Sequence, residues 1–452
     1  MSMNYLEKLS RIEKDEYQKA AFESQNNTVV LAGPGSGKTT VLTLKAMHLL
    51  KEGISEPRGL ACLTYSREAA REFTDRLKEL GLVRENNIFL GTVHSFCLTE
   101  ILGKFSDVYL VNIPKPIKLV PEKEKVRLFE KAKNNVQCND RYFKIERMNC
   151  ARMLGVAGVS NISIDRDEVA ELIADEYKKL LYQAGYIDYE TIIIESTKLL
   201  QERPYVRECI SAKYPWLLID EYQDLGRPLH EMVLSLINNT NIKFFAVGDP
   251  DQSIYGFQGA VPDYLLELAD RPDVQKITLR NNYRSNQEII DGSELVLNQK
   301  RSYVAKTREN ENAIYKFIEV NEELDDQIQY FVKKIIPKLI EVRIPYEEIA
   351  VLVGNNSDCN NVAMSCQKEN IPYYIVKHQF NRSDFVKWIE NCASWVEENT
   401  EILFGDIGDF WISLISVNGS IYMTDDEKLI IKEHLYKVLT QSKIYETSLT
   451  EW

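Results

Sequence analysis

The sequence predicts an α/β fold, a parallel sheet flanked by helices, with helical segments inserted between strands. Short apolar runs alternate with amphipathic helical patterns along the chain, the rhythm that builds parallel sheets. One run, Thr28 to Ala32, passes directly into a glycine-rich turn and then a helix. Another, Trp216 to Asp220, ends in adjacent carboxylates, Asp220 and Glu221. Open parallel sheets bind their ligands at that end of the strands.

In chain order, Thr28 to Ala32 reads as the first strand and Thr40 to Leu50 as the helix after the turn. Gly59 to Thr64 is a second strand. Ser66 to Leu80 has helical periodicity, with Ala69, Ala70, Phe73 and Leu77 on one face. Ile88 to Val93, Trp216 to Asp220, Lys243 to Gly248 and Val274 to Leu279 continue the strand series. Between Glu100 and Gln201 the texture is charged and helical, as in an inserted helical domain. After Asn281 the alternation resumes with Ile289 to Leu297 as helix, Ala313 to Val320 as strand and Glu323 to Ile340 as a long amphipathic stretch. Ile349 to Val353 and Pro372 to Val376 read as further buried-type strands, and Ser383 to Trp452 as helical.

The length of 452 residues suits about three domains, each able to bury a core. A formal net charge of −13 runs against a purely electrostatic nucleic-acid binder, although a narrow basic channel escapes that measure. The eight cysteines are scattered singly with no C-x-x-C pair, which suits reduced thiols in a cytoplasmic protein. Met1 to Glu16 is charged and lacks the apolar core of a secretory signal. No apolar run approaches a membrane span, so no membrane partner is expected.

The block Ala32-Gly33-Pro34-Gly35-Ser36-Gly37-Lys38-Thr39 has the chemistry of a phosphate loop. Glycines let backbone N–H groups turn inward around phosphate oxygens beside a helix N-terminus. Lys38 is then placed to reach the β- and γ-phosphates, and Thr39 to put its hydroxyl on Mg²⁺. Ala32 stands where the strict pattern has Gly. Asp220 is suited to hold Mg²⁺, directly or through water, and Glu221 to orient or deprotonate an attacking water. Such a chain binds a nucleoside triphosphate and has the parts to cleave it. A third block, Val247 to Ala260, ends a strand in a Gly-Asp turn. Gln252 is there to sense a γ-phosphate, while Tyr255 and Phe257 either offer faces to unpaired bases or fill a core.

On these residues the chain resembles a UvrD/Rep-type superfamily 1 DNA helicase. Asp15-x-x-Gln18 is similar to the family's adenine-reading motif, and Ala32 to Thr39 to its motif I. Leu63 to Ala70 resembles motif Ia, Gly91 to Phe96 motif Ib, and Asp220 to Asp224 motif II, with Tyr222 where the family often has Phe. Val247 to Ala260 resembles motif III and Leu279 to Ser285 motif IV; Ile187-Asp188-Tyr189 is similar to a block of the family's inserted domain. The likeness spans residues 13 to 290, and more weakly Ile349 to Trp388.

The resemblance implies a P-loop NTPase with RecA-like domains, using ATP and Mg²⁺ and moving on single-stranded or partly duplex DNA. It implies that Ala32, Gly33, Pro34, Gly35, Ser36, Gly37, Lys38, Thr39 and Thr40 cradle the nucleotide. Gln18 would contact adenine, Tyr283 would stack on the base, and Gln252 and Arg284 would contact the γ-phosphate. Thr64, Tyr65, His94 and Phe96 would line a DNA channel, with Tyr255 and Phe257 as stacking faces. His94, beside apolar Val93, and Phe96 are also open to a core role.

Two departures stand out. Phe257-Gln258 replaces the family's usual Trp-Arg pair, and nothing after Glu323 resembles motifs V and VI. The expected division is a first motor domain from 1–100 and 201–280, a helical insertion at 101–200, an incomplete second motor domain at 281–385, and the start of a second helical insertion at 386–452. A rival expectation is a nucleotide-gated DNA sensor, or a subunit whose second motor domain a protein partner supplies or regulates.

Overall fold

Six short strands, β1 (Thr28–Ala32), β2 (Leu60–Thr64), β3 (Ile88–Thr92), β4 (Trp216–Ile219), β5 (Lys243–Gly248) and β6 (Gln275–Leu279), form one parallel sheet. Their spatial order is β3-β2-β4-β5-β1-β6. The computed structural model describes residues 3–82, 87–162, 166–256, 259–320, 324–375, 384–396, 402–419 and 424–442. It falls into two compact units, Met1–Tyr315 and Lys316–Trp452, and the sheet lies in the first.

The inner strands β1, β2, β4 and β5 are largely apolar because both faces of the sheet are covered there, whereas the edge strands β3 and β6 are less buried. Val29, Leu63, Leu217, Ile219 and Phe244 enter one core, whereas Val30, Leu60, Cys62, Leu218 and Phe245 enter the other. Successive side chains on a strand point to opposite faces, so a strand buried on both sides reads as an unbroken apolar run. Helices α1 (Met3–Ile12), α2 (Glu16–Glu23), α3 (Lys38–His48) and α4 (Arg67–Glu79) contribute to the second core. Phe73 and Leu77 are the buried residues of α4, and Ser66 caps it by accepting from Ala69 N at 3.0 Å. Helices Tyr189–Glu202 and Arg227–Asn239 line the first core.

Between β3 and β4 the chain is helical, with a core of its own that includes Phe129, Met148, Ile173, Tyr177 and Leu181. Asp188 caps helix Tyr189–Glu202 and receives a bidentate pair from Arg152, Nη1 to Oδ2 at 2.6 Å and Nη2 to Oδ1 at 2.9 Å. Both side chains are buried, at 7% and 1% exposure. Burial pushes the Asp188 carboxyl up, but Arg152 and Thr191 outweigh it and hold the group below its ordinary value. Arg152→Ala strands that carboxylate in the interior. It is expected to cost about 3–5 kcal/mol in a urea melt, and a loss under about 1 kcal/mol would show the pair to be dispensable.

Beyond β6, a two-residue strand β7 (Asn281–Asn282) pairs in parallel with β8 (Val304–Ala305), with helix Gln287–Leu297 between them. In the second unit, Leu324–Tyr330, a π-helical turn Phe331–Ile335 and Ile336–Glu341 run on continuously where the amphipathic stretch was predicted. Helix Asn356–Lys368 joins them around Ile328, Val332 and Cys366. The helices Asp384–Val396, Phe404–Gly419 and Asp425–Ser442 gather around Cys392, Ile407, Leu435 and a Trp388–Trp411 stack at 4.8 Å.

The predicted strands at Ala313 to Val320, Ile349 to Val353 and Pro372 to Val376 are corrected by the structure. None forms a ladder among the described residues, and Val376 itself lies outside them. Ile314, Phe317 and Leu352 are 92%, 95% and 95% exposed. Hydrophobicity marks a segment that suits a buried strand, but the ladder exists only where a neighbouring strand supplies its hydrogen bonds. No helix among the described residues is long and apolar enough to cross a membrane.

Candidate active site

The strand order sets the carboxyl ends of β4, β5, β1 and β6 side by side. The loops leaving them carry Asp220 and Glu221, Asp249 to Gln252, the phosphate loop, and Asn281 to Ser285. Gly35 and Gly37 adopt φ of +71° and +87°, which side chains of the L-series rarely tolerate. A Cβ on Gly35 would also come within 2.6 Å of Arg284 Cβ, and one on Gly37 within 2.6 Å of Gln18 Nε2. Ser36 Oγ closes the turn by donating to Gly33 O at 2.7 Å. Ala32 is a fully buried end of β1, and Lys38 opens α3 with Thr39 and Thr40 in its first turn.

Neighbouring segments brace this loop. Gln18 Nε2 donates to Ser36 O at 2.7 Å, and Asn282 Nδ2 to Pro34 O at 2.8 Å. Tyr283 N donates to Gly35 O at 2.8 Å, while its hydroxyl donates to Asp15 Oδ2 at 2.6 Å. Asp15 at the same time caps α2 through its other oxygen, fixing Gln18. Burial and then Asp15 raise the Tyr283 hydroxyl above its ordinary pKa, so it stays a donor. Arg284 is exposed beside the loop, its backbone N held by Asn282 Oδ1 at 2.8 Å.

A chain of polar contacts crosses the strand ends. Lys38 Nζ lies 3.5 Å from Glu221 Oε2, which also accepts from Gln223 Nε2 at 2.8 Å. Gln223 Oε1 accepts from Asp249 N at 3.0 Å, and Asp249 Oδ2 accepts from Gln252 Nε2 at 2.6 Å. Glu221 sits at φ 49°, ψ 49°, a left-handed conformation that costs a non-glycine residue of order 1–3 kcal/mol. From that conformation its carboxylate reaches Lys38 Nζ.

Asp220 is 6% exposed, and its backbone N extends the β2–β4 ladder by donating to Leu63 O at 3.0 Å. Burial and then the charge of Glu221 raise its carboxyl to about 7, against the pull of Lys38. The same causes raise Asp224 to about 6. Asp220, Glu221 and Asp224 thus crowd around one lysine, an arrangement short of positive charge.

At the ends of β2 and β3 a groove of about 850 Å³ is lined by residues that include Tyr65, Arg67, Arg71, His94, Lys125 and Tyr189. Tyr65 packs on Tyr255 with ring centroids 4.8 Å apart. His94 meets Tyr189 edge-on at 5.5 Å; burial and then Arg67 lower its pKa to about 4, so it is neutral at neutral pH and cannot grip phosphate as a cation. Two of the expected groove residues lie in the interior, Phe96 in the core role that its sequence left open. Phe96 is fully buried against Phe89 and Tyr214, and Thr64 is 2% exposed with its hydroxyl donating to Ser66 O. Both lie on the inward side of their elements, where the core captures them. Phe257 lies outside the described residues.

Sequence reasoning missed Gln223 and Asn282, although both stand inside the quoted blocks. It also missed Arg67 and Arg71, four apart on α4, and Lys125 on this groove, which Glu122, Glu146, Glu190 and Asp224 line as well; Lys125 Nζ lies 3.7 Å from Glu190 Oε1.

The model for the UvrD/REP helicase N-terminal domain matches residues 14–273, and that for the UvrD-like helicase C-terminal domain matches residues 277–389. Similar proteins include ATP-dependent DNA helicase Rep of Buchnera aphidicola subsp. Acyrthosiphon pisum, 32% identical over 376 residues, covering 79% of this chain and 57% of the relative. ATP-dependent DNA helicase PcrA of Staphylococcus epidermidis is 26% identical over 381 residues, covering 80% and 51%. DNA helicase II of Rickettsia typhi is 25% identical over 376 residues, covering 80% and 56%. The chain spans just over half the length of the curated relatives it matches. With the N-terminal match enclosing β1 to β5 and the whole run of contacts from Lys38 to Gln252, this chain belongs to the UvrD/REP helicase family.

Proposed function

We propose that the protein couples ATP hydrolysis to movement along single-stranded DNA. The observation that carries this reading is the continuous line of contacts Lys38–Glu221–Gln223–Asp249–Gln252 beside a braced phosphate loop. In it, Gln18 reads adenine, Tyr283 stacks on the base, and the loop from Ala32 to Thr40 cradles the phosphates. Lys38 exchanges its long contact with Glu221 for the phosphates when nucleotide arrives. Glu221 orients and deprotonates the attacking water, and Gln252 and Arg284 read the γ-phosphate.

Thr39 and Asp220 would hold Mg²⁺. The donors fit, being hard oxygens beside carboxylates that lack a counter-charge. Bound there, the ion neutralises charge on the phosphate oxygens. At the groove, Tyr65 and its packing partner Tyr255 offer faces to unpaired bases while Arg67 and Arg71 face the phosphodiester backbone. Residues 1–100 and 201–280 form the first motor domain in this reading, with 101–200 as helical insertion, 281–385 as part of the second motor domain and 386–452 as the start of another insertion. Eight free cysteines suit a cytoplasmic setting.

Steady-state ATPase with and without single-stranded oligonucleotide, alongside a strand-separation assay, tests the proposal. Single-stranded DNA is expected to raise turnover severalfold; turnover indifferent to DNA sinks the track assignment. A second reading is a nucleotide-gated DNA-binding subunit completed by a protein partner. It is favoured by the strand-like segments bearing exposed Ile314, Phe317 and Leu352, which have no ladder partner among the described residues. ATPase without strand separation supports it.

A further inference from the structure

Arg301 and Tyr303 lie between helix Gln287–Leu297 and β8, outside every motif block. The Arg301 side chain is only 10% exposed, with Nη1 4.0 Å from Asp249 Oδ2 and Nη2 paired with Asp251. Asp249 is 1% exposed and uses the same Oδ2 to accept from Gln252 Nε2 at 2.6 Å. Its Oδ1 accepts from Asp251 N at 3.1 Å, closing the turn that carries Gln252. Arg301 Nε and Nη2 make no hydrogen bond among the described residues, so the guanidinium holds this turn by charge rather than by directed bonds.

Tyr303 reaches the other side of the site. A Cβ on Gly33 would meet its ring at 2.6 Å, so the ring seats directly on the first turn of the phosphate loop. The segment is tied down: Val304 N donates to Arg280 O at 2.9 Å, Lys306 N to Asn282 O at 2.9 Å, and Gln287 Nε2 to Tyr303 O at 3.1 Å. One short stretch therefore touches the phosphate loop and the γ-phosphate-sensing turn together.

We propose that Arg301 is a positioning residue for γ-phosphate recognition, acting through Asp249 on Gln252, with Tyr303 seating the stretch on the phosphate loop. This rests on the reading of Gln252 as the γ-phosphate sensor. A carboxylate as buried as Asp249 is costly to keep ionised without a counter-charge. When Arg301 is removed, the buried Asp249 carboxylate loses its counter-charge and shifts toward water, and the Gln252 amide loses its fixed acceptor. Arg301 itself reaches Asp249 and Asp251 and not the phosphate loop, so the adenine and α,β-phosphate contacts do not pass through it.

The test is a fluorescence titration of wild type, Arg301→Ala, Arg301→Gln and Arg301→Lys with methylanthraniloyl-ADP and with the corresponding ATPγS derivative, in Mg²⁺. The Ala and Gln variants are expected to lose about tenfold in preference for ATPγS over ADP, with ADP affinity changed by less than about twofold. Arg301→Lys should recover part of the preference, because it restores charge without the planar fork. Equal weakening of both nucleotides would mean a merely structural role and overturn the proposal, as would full retention of the preference. If the Ala variant fails to fold, the Gln variant, closer in size, decides on the same criteria. Wild-type protein that binds neither nucleotide overturns the nucleotide-site reading itself.

Discussion

Lys38→Ala is expected to abolish ATP hydrolysis, lowering turnover by about three orders of magnitude or more. Lys38 is the cation nearest the crowded carboxylates, 3.5 Å from Glu221, with its side chain only 11% exposed. In phosphoryl transfer the protein supplies mainly position and charge, so on the proposed reading losing the Lys38 ammonium removes both. The loss has a second arm. Lys38 lowers both Asp220 and Asp224, whose carboxyls burial and Glu221 already raise. Without it both drift further toward the protonated form, and a protonated Asp220 is a poor ligand for a cation. Nucleotide affinity should therefore fall along with turnover. Phosphate release within about tenfold of wild type, from folded protein, would remove Lys38 from the reaction.

Glu221→Gln is expected to separate binding from chemistry. The amide is close to isosteric, retains a carbonyl oxygen to accept from Gln223 Nε2, and carries no extra strain in the left-handed conformation already imposed at this position. General-base catalysis contributes about 10²–10⁴-fold, so turnover should fall by that amount while ATP binding survives. Normal ATPase in purified Glu221→Gln protein would end the assignment of the base.

The same variant carries a pH signature with a definite sign. Asp220 is raised from an ordinary value of 3.8 to about 7, so the folded state binds its proton more tightly than the unfolded state. Stability from this group is therefore lost as pH rises from about 4 to about 7, and the full cost persists above that window. Removing the charge of Glu221 relieves part of the cost. Glu221→Gln should melt higher than wild type at pH 8, with the gap closing on acidification toward pH 4. A gap constant across that range would mean that Glu221 does not control Asp220.

Much of the sheet in the first unit was legible in the sequence because its signals are local. The run Thr28 to Ala32 followed by Gly33 to Thr39 specifies strand, turn and helix within a dozen residues, and the glycines at 35 and 37 occupy the positive φ that their type predicts. The same apolarity misled at Ala313 to Val320 and Ile349 to Val353. A run suited to burial was present there, but strand formation depends on a partner that no local pattern specifies. The burial of Thr64 and Phe96 was not legible for a related reason. Their motif neighbours face the groove, whereas Phe96 lies on the inward side of its helical turn and Thr64 turns its hydroxyl back to Ser66.

The sequence by itself determined the phosphate loop, the Asp220–Glu221 pair and the strands that carry them, because backbone sterics and hydrophobic periodicity act over a few residues. Tertiary structure decided the rest. The order β4-β5-β1-β6 joins blocks separated by more than two hundred residues into one row of polar contacts. It also buries Asp220 beside Glu221, and brings Arg301 and Tyr303, which carry no motif, against Asp249 and Gly33. Burial and charge proximity are properties of packing between distant segments, and they set which carboxylate is ionised and which amide is held still.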